Sequence, residues 1–106
     1  MSCKSTQVDE VLYQANQVDS APKRVIRVTP AYPQNAWKEK TEGWVKILAV
    51  VDKSGKVSNM QIIESQPKGV FEYEAKRAFG KWAFIPAVLN RKAVSVYLEE
   101  TFKFKI

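Results

Sequence analysis

Between Trp44 and Asp52 the chain alternates: Val45, Ile47, Ala49 and Val51 share one face, and Trp44, Lys46, Leu48 and Val50 share the other. A period of two with one wholly apolar face predicts a half-buried strand. Asp52-Lys53-Ser54-Gly55-Lys56 follows as a turn, with glycine available for a positive φ. Val57 to Glu64 returns as a second strand with Met60 and Ile62 inward. Val57 is out of phase with that pair, which predicts a bulge near Asn59. After the loop Ser65-Gln66-Pro67-Lys68-Gly69 the period changes. Phe71, Ala75, Ala78 and Trp82 recur at helical spacing and predict a helix from Phe71 to Trp82, with Glu72, Lys76 and Lys81 on its wet side and Pro86 closing the element. From Lys92 to Ile106 alternation resumes. Val94, Val96, Leu98, Phe102, Phe104 and Ile106 share one parity, with Glu100 the exception. Such a strand is longer than a small sheet can pair, so part of it should overhang or form an edge.

Upstream, Lys23 to Thr29 reads as a short extended segment stopped by Pro30 and Pro33. Pro33 can open a short helix through Lys40, and Gly43 marks the change of direction into the strand. Residues 1–22 are expected to be a leader or linker remnant, partly ordered at best; Val8, Leu12 and Ala15 have helical spacing, with a strand as the alternative. The predicted fold class is α+β: a two-layer domain, residues 23–106, with two helices packed on a three-stranded antiparallel sheet. An additional short N-terminal strand is a further option.

Composition narrows the function. The 106 residues, 45% of them hydrophobic, suit one folded domain. With no histidine there is no Ser-His-Asp triad, Cys-His pair or imidazole zinc site, and one cysteine, Cys3, gives no CxxC motif. No enzyme, cofactor or metal is expected. Residues 1–22 carry a net charge of −2 and residues 23–106 a net of +8, which favours an acidic partner. No apolar run reaches the roughly 18–20 residues needed to cross a bilayer, and no signal-peptide pattern opens the chain. The protein is then either cytoplasmic or the end of a longer exported or anchored one.

Taken together the motifs become specific. Pro30-Ala31-Tyr32-Pro33-Gln34-Asn35-Ala36, Glu42-Gly43-Trp44-Val45, Val51-Asp52-Lys53-Ser54-Gly55-Lys56-Val57, Ile62-Ile63-Glu64-Ser65-Gln66-Pro67, Trp82-Ala83-Phe84-Ile85-Pro86 and Phe102-Lys103-Phe104 occur in order. This set resembles the TonB C-terminal domain family over roughly residues 25–106. The resemblance implies the periplasmic end of an inner-membrane-anchored energy transducer. A missing N-terminal helix would contact a proton-driven inner-membrane complex, and a proline-rich linker would cross the periplasm. The domain would grasp the TonB box peptide of outer-membrane transporters that import iron siderophores, haem or cobalamin.

The family pairs its last strand with the box peptide, which implies an edge-strand role for Val96, Tyr97, Leu98, Glu99, Glu100, Thr101 and Phe102. Strand addition needs only unpaired backbone groups. The segment before the first helix, Arg27, Thr29, Pro30, Ala31, Tyr32 and Pro33, is the second implied contact. Thr29 and Ala31 stand where well-known members carry glutamine, so glutamine-specific contacts are unavailable. Trp44, on the mixed strand face, is a candidate exposed contact. Peptidoglycan and a strand-exchanged homodimer are further candidate partners. Two rival readings remain: a freestanding TonB-like envelope scaffold or dimerisation module, and a basic α+β nucleic-acid-binding domain. The aromatics are not arranged as a paired stacking motif and no glycine-bracketed basic loop is present, so no nucleic acid is expected.

Overall fold

The computed structural model describes residues 11–106. Cys3, Val8 and the rest of the first ten residues of the expected leader lie outside the described residues. The elements are β1 (Leu12–Tyr13), a 3-10 turn (Ala15–Gln17), β2 (Lys23–Ile26), α1 (Gln34–Lys38), β3 (Gly43–Val51), β4 (Val57–Gln66), α2 (Glu72–Phe79), β5 (Ala83–Ile85), β6 (Ala87–Leu89) and β7 (Lys92–Phe104). The architecture is α+β with two helices, as the periodicities predict.

Three long antiparallel strands form the spine: β3 in the middle, β4 on one side and β7 on the other. The expected core face is buried, since Val45, Ile47, Ala49 and Val51 have no solvent exposure. Gly43 is required by a close approach rather than by a turn. A Cβ there would lie 2.0 Å from the Gln66 carbonyl oxygen and 2.8 Å from the Phe71 ring. In the β3–β4 turn Gly55 has φ +85°, and its carbonyl accepts the Phe84 amide at 2.9 Å. Asp52 Oδ1 accepts from the Ser54 amide, the Ser54 hydroxyl and the Lys56 amide at 2.9, 2.7 and 3.0 Å.

β4 carries the expected bulge. Asn59 has φ +50°, and the pairing with β3 shifts between Leu48 and Val50; a second shift between Lys46 and Ile47 leaves Ile63 outside the register. On α2 the buried face is Ala75, Ala78 and Phe79, flanked by buried Phe71 and Trp82. The helix ends at Phe79, earlier than its apolar period predicts, and Trp82 is held outside it by the Phe79 carbonyl.

The sheet differs from the three-stranded expectation. The main sheet has five strands, in the order β1-β7-β3-β4 with β6 also on β7, and β2 pairs separately with β5. β5 and β6 flank Pro86, which the helical reading had assigned to termination. Each is three residues long, too short to display a period. The β6–β7 turn is made by Asn90 and Arg91 at φ +53° and +68°, a hairpin geometry that usually announces itself through glycine. The long strand extends past β3, which pairs residues 96–104, but the excess is not left unpaired as its length predicts: residues 92–94 pair with β6 and residues 95–96 with β1.

Candidate functional site

β7 has β3 along one side from Val96 to Phe104. On the opposite side β1 pairs in parallel, Leu12 with Ser95 and Tyr13 with Val96. Among the described residues no strand pairs with that side of residues 97–104. Val96 therefore sits between two strands, whereas Tyr97, Leu98, Glu99, Glu100, Thr101 and Phe102 have a partner on one side only. Phe102 and Val96 are buried as side chains, Leu98 packs on the core, and Glu99 and Thr101 are exposed. Side-chain burial and an open backbone edge are compatible, because backbone N–H and C=O groups point along the sheet while side chains point across it.

Glu100, the exception to the apolar parity, is explained by β2. Arg24 Nη1 lies 3.6 Å from Glu100 Oε2. From there the chain follows the core face of β7 towards its C-terminal end. The guanidiniums of Arg24 and Arg27 each lie 5.5 Å from the Trp82 ring centre, and the indole N–H donates to the Val28 carbonyl at 2.9 Å. Trp82 in turn meets Phe102, ring centres 5.4 Å apart. Tyr32 closes the path with its ring edge-on to Phe104 at 5.8 Å and to Phe71 at 5.6 Å, and its hydroxyl donates to the Thr41 carbonyl. Burial, and secondarily the Glu42 carboxylate, push the Tyr32 phenol above its usual range.

The two residue sets implied by the resemblance are thus neighbours, one forming the strand and the other running beside it. Within the second set the roles divide. Arg27 covers Trp82, Tyr32 anchors the segment, and the Pro33 carbonyl accepts the Trp37 amide at 2.9 Å to start α1. Thr29 and Ala31 are exposed and border a shallow cavity of about 210 Å³ against Glu74 and Arg77 of α2. Trp44 lies apart, half-buried rather than exposed as expected, on the helix-free face in a row with Gln66 and Lys103. It borders an open cavity of about 360 Å³ that also includes Lys105. Sequence reasoning missed the arginine pair over Trp82 and the segment 11–20 beside β7; a two-residue strand leaves no periodic signal.

These features define a small two-layer α+β module with a long sheet edge unpaired on one side. Residues 28–106 match the family model described as Gram-negative bacterial TonB protein C-terminal, and the chain belongs to that family. It is 35% identical over 91 residues to Protein TonB of Pseudomonas aeruginosa, covering 86% of this chain and 26% of that protein. To Protein TonB of Escherichia coli it is 38% identical over 69 residues, 65% of this chain and 29% of the other. The chain spans about a quarter of the length of the curated relatives it matches. Among solved structures, the solution NMR structure of the Pseudomonas aeruginosa TonB CTD superposes with a TM-score of 0.72 at 35% identity, covering 83% of this chain and 89% of that one. The TonB2 protein of Vibrio anguillarum matches with a TM-score of 0.61 at 30% identity, over 100% and 94% of the two chains.

Proposed function

We propose that this domain is the transporter-grasping end of a TonB energy transducer, and that it holds the TonB box of an outer-membrane transporter as an added strand on residues 97–102. The observation that carries the reading is the side of β7 away from β3, where residues 97–104 have no strand neighbour among the described residues. Each added residue pair can supply main-chain hydrogen bonds irrespective of its side chain. One domain can therefore serve several transporters. The mechanical side follows from the same geometry. Load entering the domain would be shared across several parallel hydrogen bonds rather than carried by one contact.

Arg27, Thr29, Pro30, Ala31, Tyr32 and Pro33 flank this edge on the helix side and are proposed to meet the transporter beyond the box; Trp44 is proposed as a separate contact on the helix-free face. The whole protein would be periplasmic at this end and anchored upstream in the inner membrane, where a proton-driven complex supplies the energy for uptake of iron siderophores, haem or cobalamin.

The test is calorimetric titration with a synthetic TonB-box peptide and with the same peptide N-methylated at alternate amides. Binding by the parent and its loss on methylation at one of the two alternations is expected. Equal binding by all three peptides would exclude strand addition.

A further inference from the structure

The described chain begins beside the same strand that offers the open edge. β1 occupies the outer side of β7 at Ser95 and Val96, directly in line with residues 97–104. The segment that follows is fastened to the β6–β7 hairpin. The Asp19 and Ser20 amides donate to the Val88 carbonyl at 2.8 and 3.1 Å, the Val88 amide donates to the Ser20 carbonyl at 3.0 Å, and Asp19 Oδ2 accepts the Asn90 amide at 2.9 Å. Tyr13 and Val18 pack against the core. The two ends of this segment differ in strength. Asp19 and Ser20 form a latch of several hydrogen bonds, whereas β1 pairs over two residues only, and Leu12 borders an open cavity of about 570 Å³ that also includes Leu48, Val50 and Tyr97. A two-residue strand at the rim of an open groove opens at low cost.

We infer that residues 12–20 form a strap that sets the register and length of the partner strand. The inference rests on the edge reading above and deepens it. One side of a strand accepts one neighbour at each position. While β1 is seated, an incoming peptide strand can run along residues 97–104 and no further; because β1 is parallel to β7, its end abuts the chain leaving Tyr13 at Gln14 and the 3-10 turn, which also touches β7. A peptide long enough to reach Ser95 must displace β1 and gives up part of its affinity to do so. Leu12 and Tyr13 are thus specificity-determining residues for the length and position of the peptide, and Asp19 and Ser20 hold them there.

The test uses the whole chain, Tyr13→Pro and Asp19→Ala, each titrated with a TonB-box peptide of seven residues and with that peptide extended by three residues at one end or the other. The unaltered chain is expected to bind all three peptides alike. Tyr13→Pro should bind one of the extended peptides about tenfold more tightly than the unaltered chain does, the worth of one or two further main-chain hydrogen bonds, with the seven-residue peptide unchanged. Because Tyr13→Pro also removes a ring packed on the core, Asp19→Ala, which touches only the latch, must move the same extended peptide in the same direction by about threefold. Equal affinity of short and extended peptides for every chain would overturn the strap and leave the edge reading intact. Absence of binding to any chain would overturn the edge reading and the strap with it.

Discussion

Trp82 joins four parts of the fold through one side chain. Its ring meets Phe79 at 5.2 Å, Phe84 at 6.2 Å and Phe102 at 5.4 Å, while its N–H holds Val28. Trp82→Ala is expected to cost about 3–5 kcal/mol in urea unfolding; a loss below about 1 kcal/mol would contradict this packing. Glu72 acts more locally. Burial alone would raise its pKa, but the Gly69 amide at 2.8 Å and the Ser65 hydroxyl at 2.6 Å outweigh it and hold the carboxyl below its ordinary range. Asp52 is depressed in the same way in its turn. A depressed carboxyl contributes stability that is complete above the unfolded value and lost as pH falls through the folded one. Glu72→Gln should therefore lose less stability than the unaltered protein between about pH 6 and pH 3 in pH-dependent denaturation. Parallel curves would refute the assignment. The burial of Trp82 was legible in its helical spacing. The role of Glu72 was not, because the spacing put it on the wet side beside Lys76, while its partners lie behind it, Ser65 at the end of β4 and Gly69 in the loop.

At the scale of elements, whatever had a long period could be read from the chain. β3, the turn at Gly55, the bulge at Asn59 and the length of β7 all followed from alternation and its one phase error. β5, β6 and β1 could not, since two or three residues display no period and their pairing is set by segments far along the chain. Excess strand length did not mark the open edge: the part of β7 that extends past β3, residues 92–95, is taken by β6 and β1, and the open side runs along residues 97–104, which β3 pairs on the other side. The Asn90-Arg91 turn makes a separate prediction. Arg91 holds φ +68° without the freedom of glycine, so Arg91→Gly should relieve strain and raise stability by up to about 1 kcal/mol, read as a higher thermal midpoint. A clear fall would show that the Arg91 side chain contributes more than its backbone strain costs.

Across the whole molecule, charge and topology act together. The net +8 of residues 23–106 lies on the module that carries the edge, and Arg24 and Arg27 stand along it. Association with an acidic peptide should accordingly slow when salt rises from about 0.05 to 0.5 M, while dissociation changes less; stopped-flow rates indifferent to salt would remove charge from the account. Upstream of the domain, the chain meets β6 and β7 before it meets anything else described. Load entering from that direction would reach the strand proposed to hold the peptide through short, local contacts. The most direct test of that strand's role is backbone amide exchange, residue by residue, with and without a TonB-box peptide. Strand addition predicts new protection at alternate amides within residues 97–104, with the β3–β4 ladder unchanged. Tight binding that leaves those amides exchanging as before, with protection arising instead around Trp44 and Lys103, would contradict it.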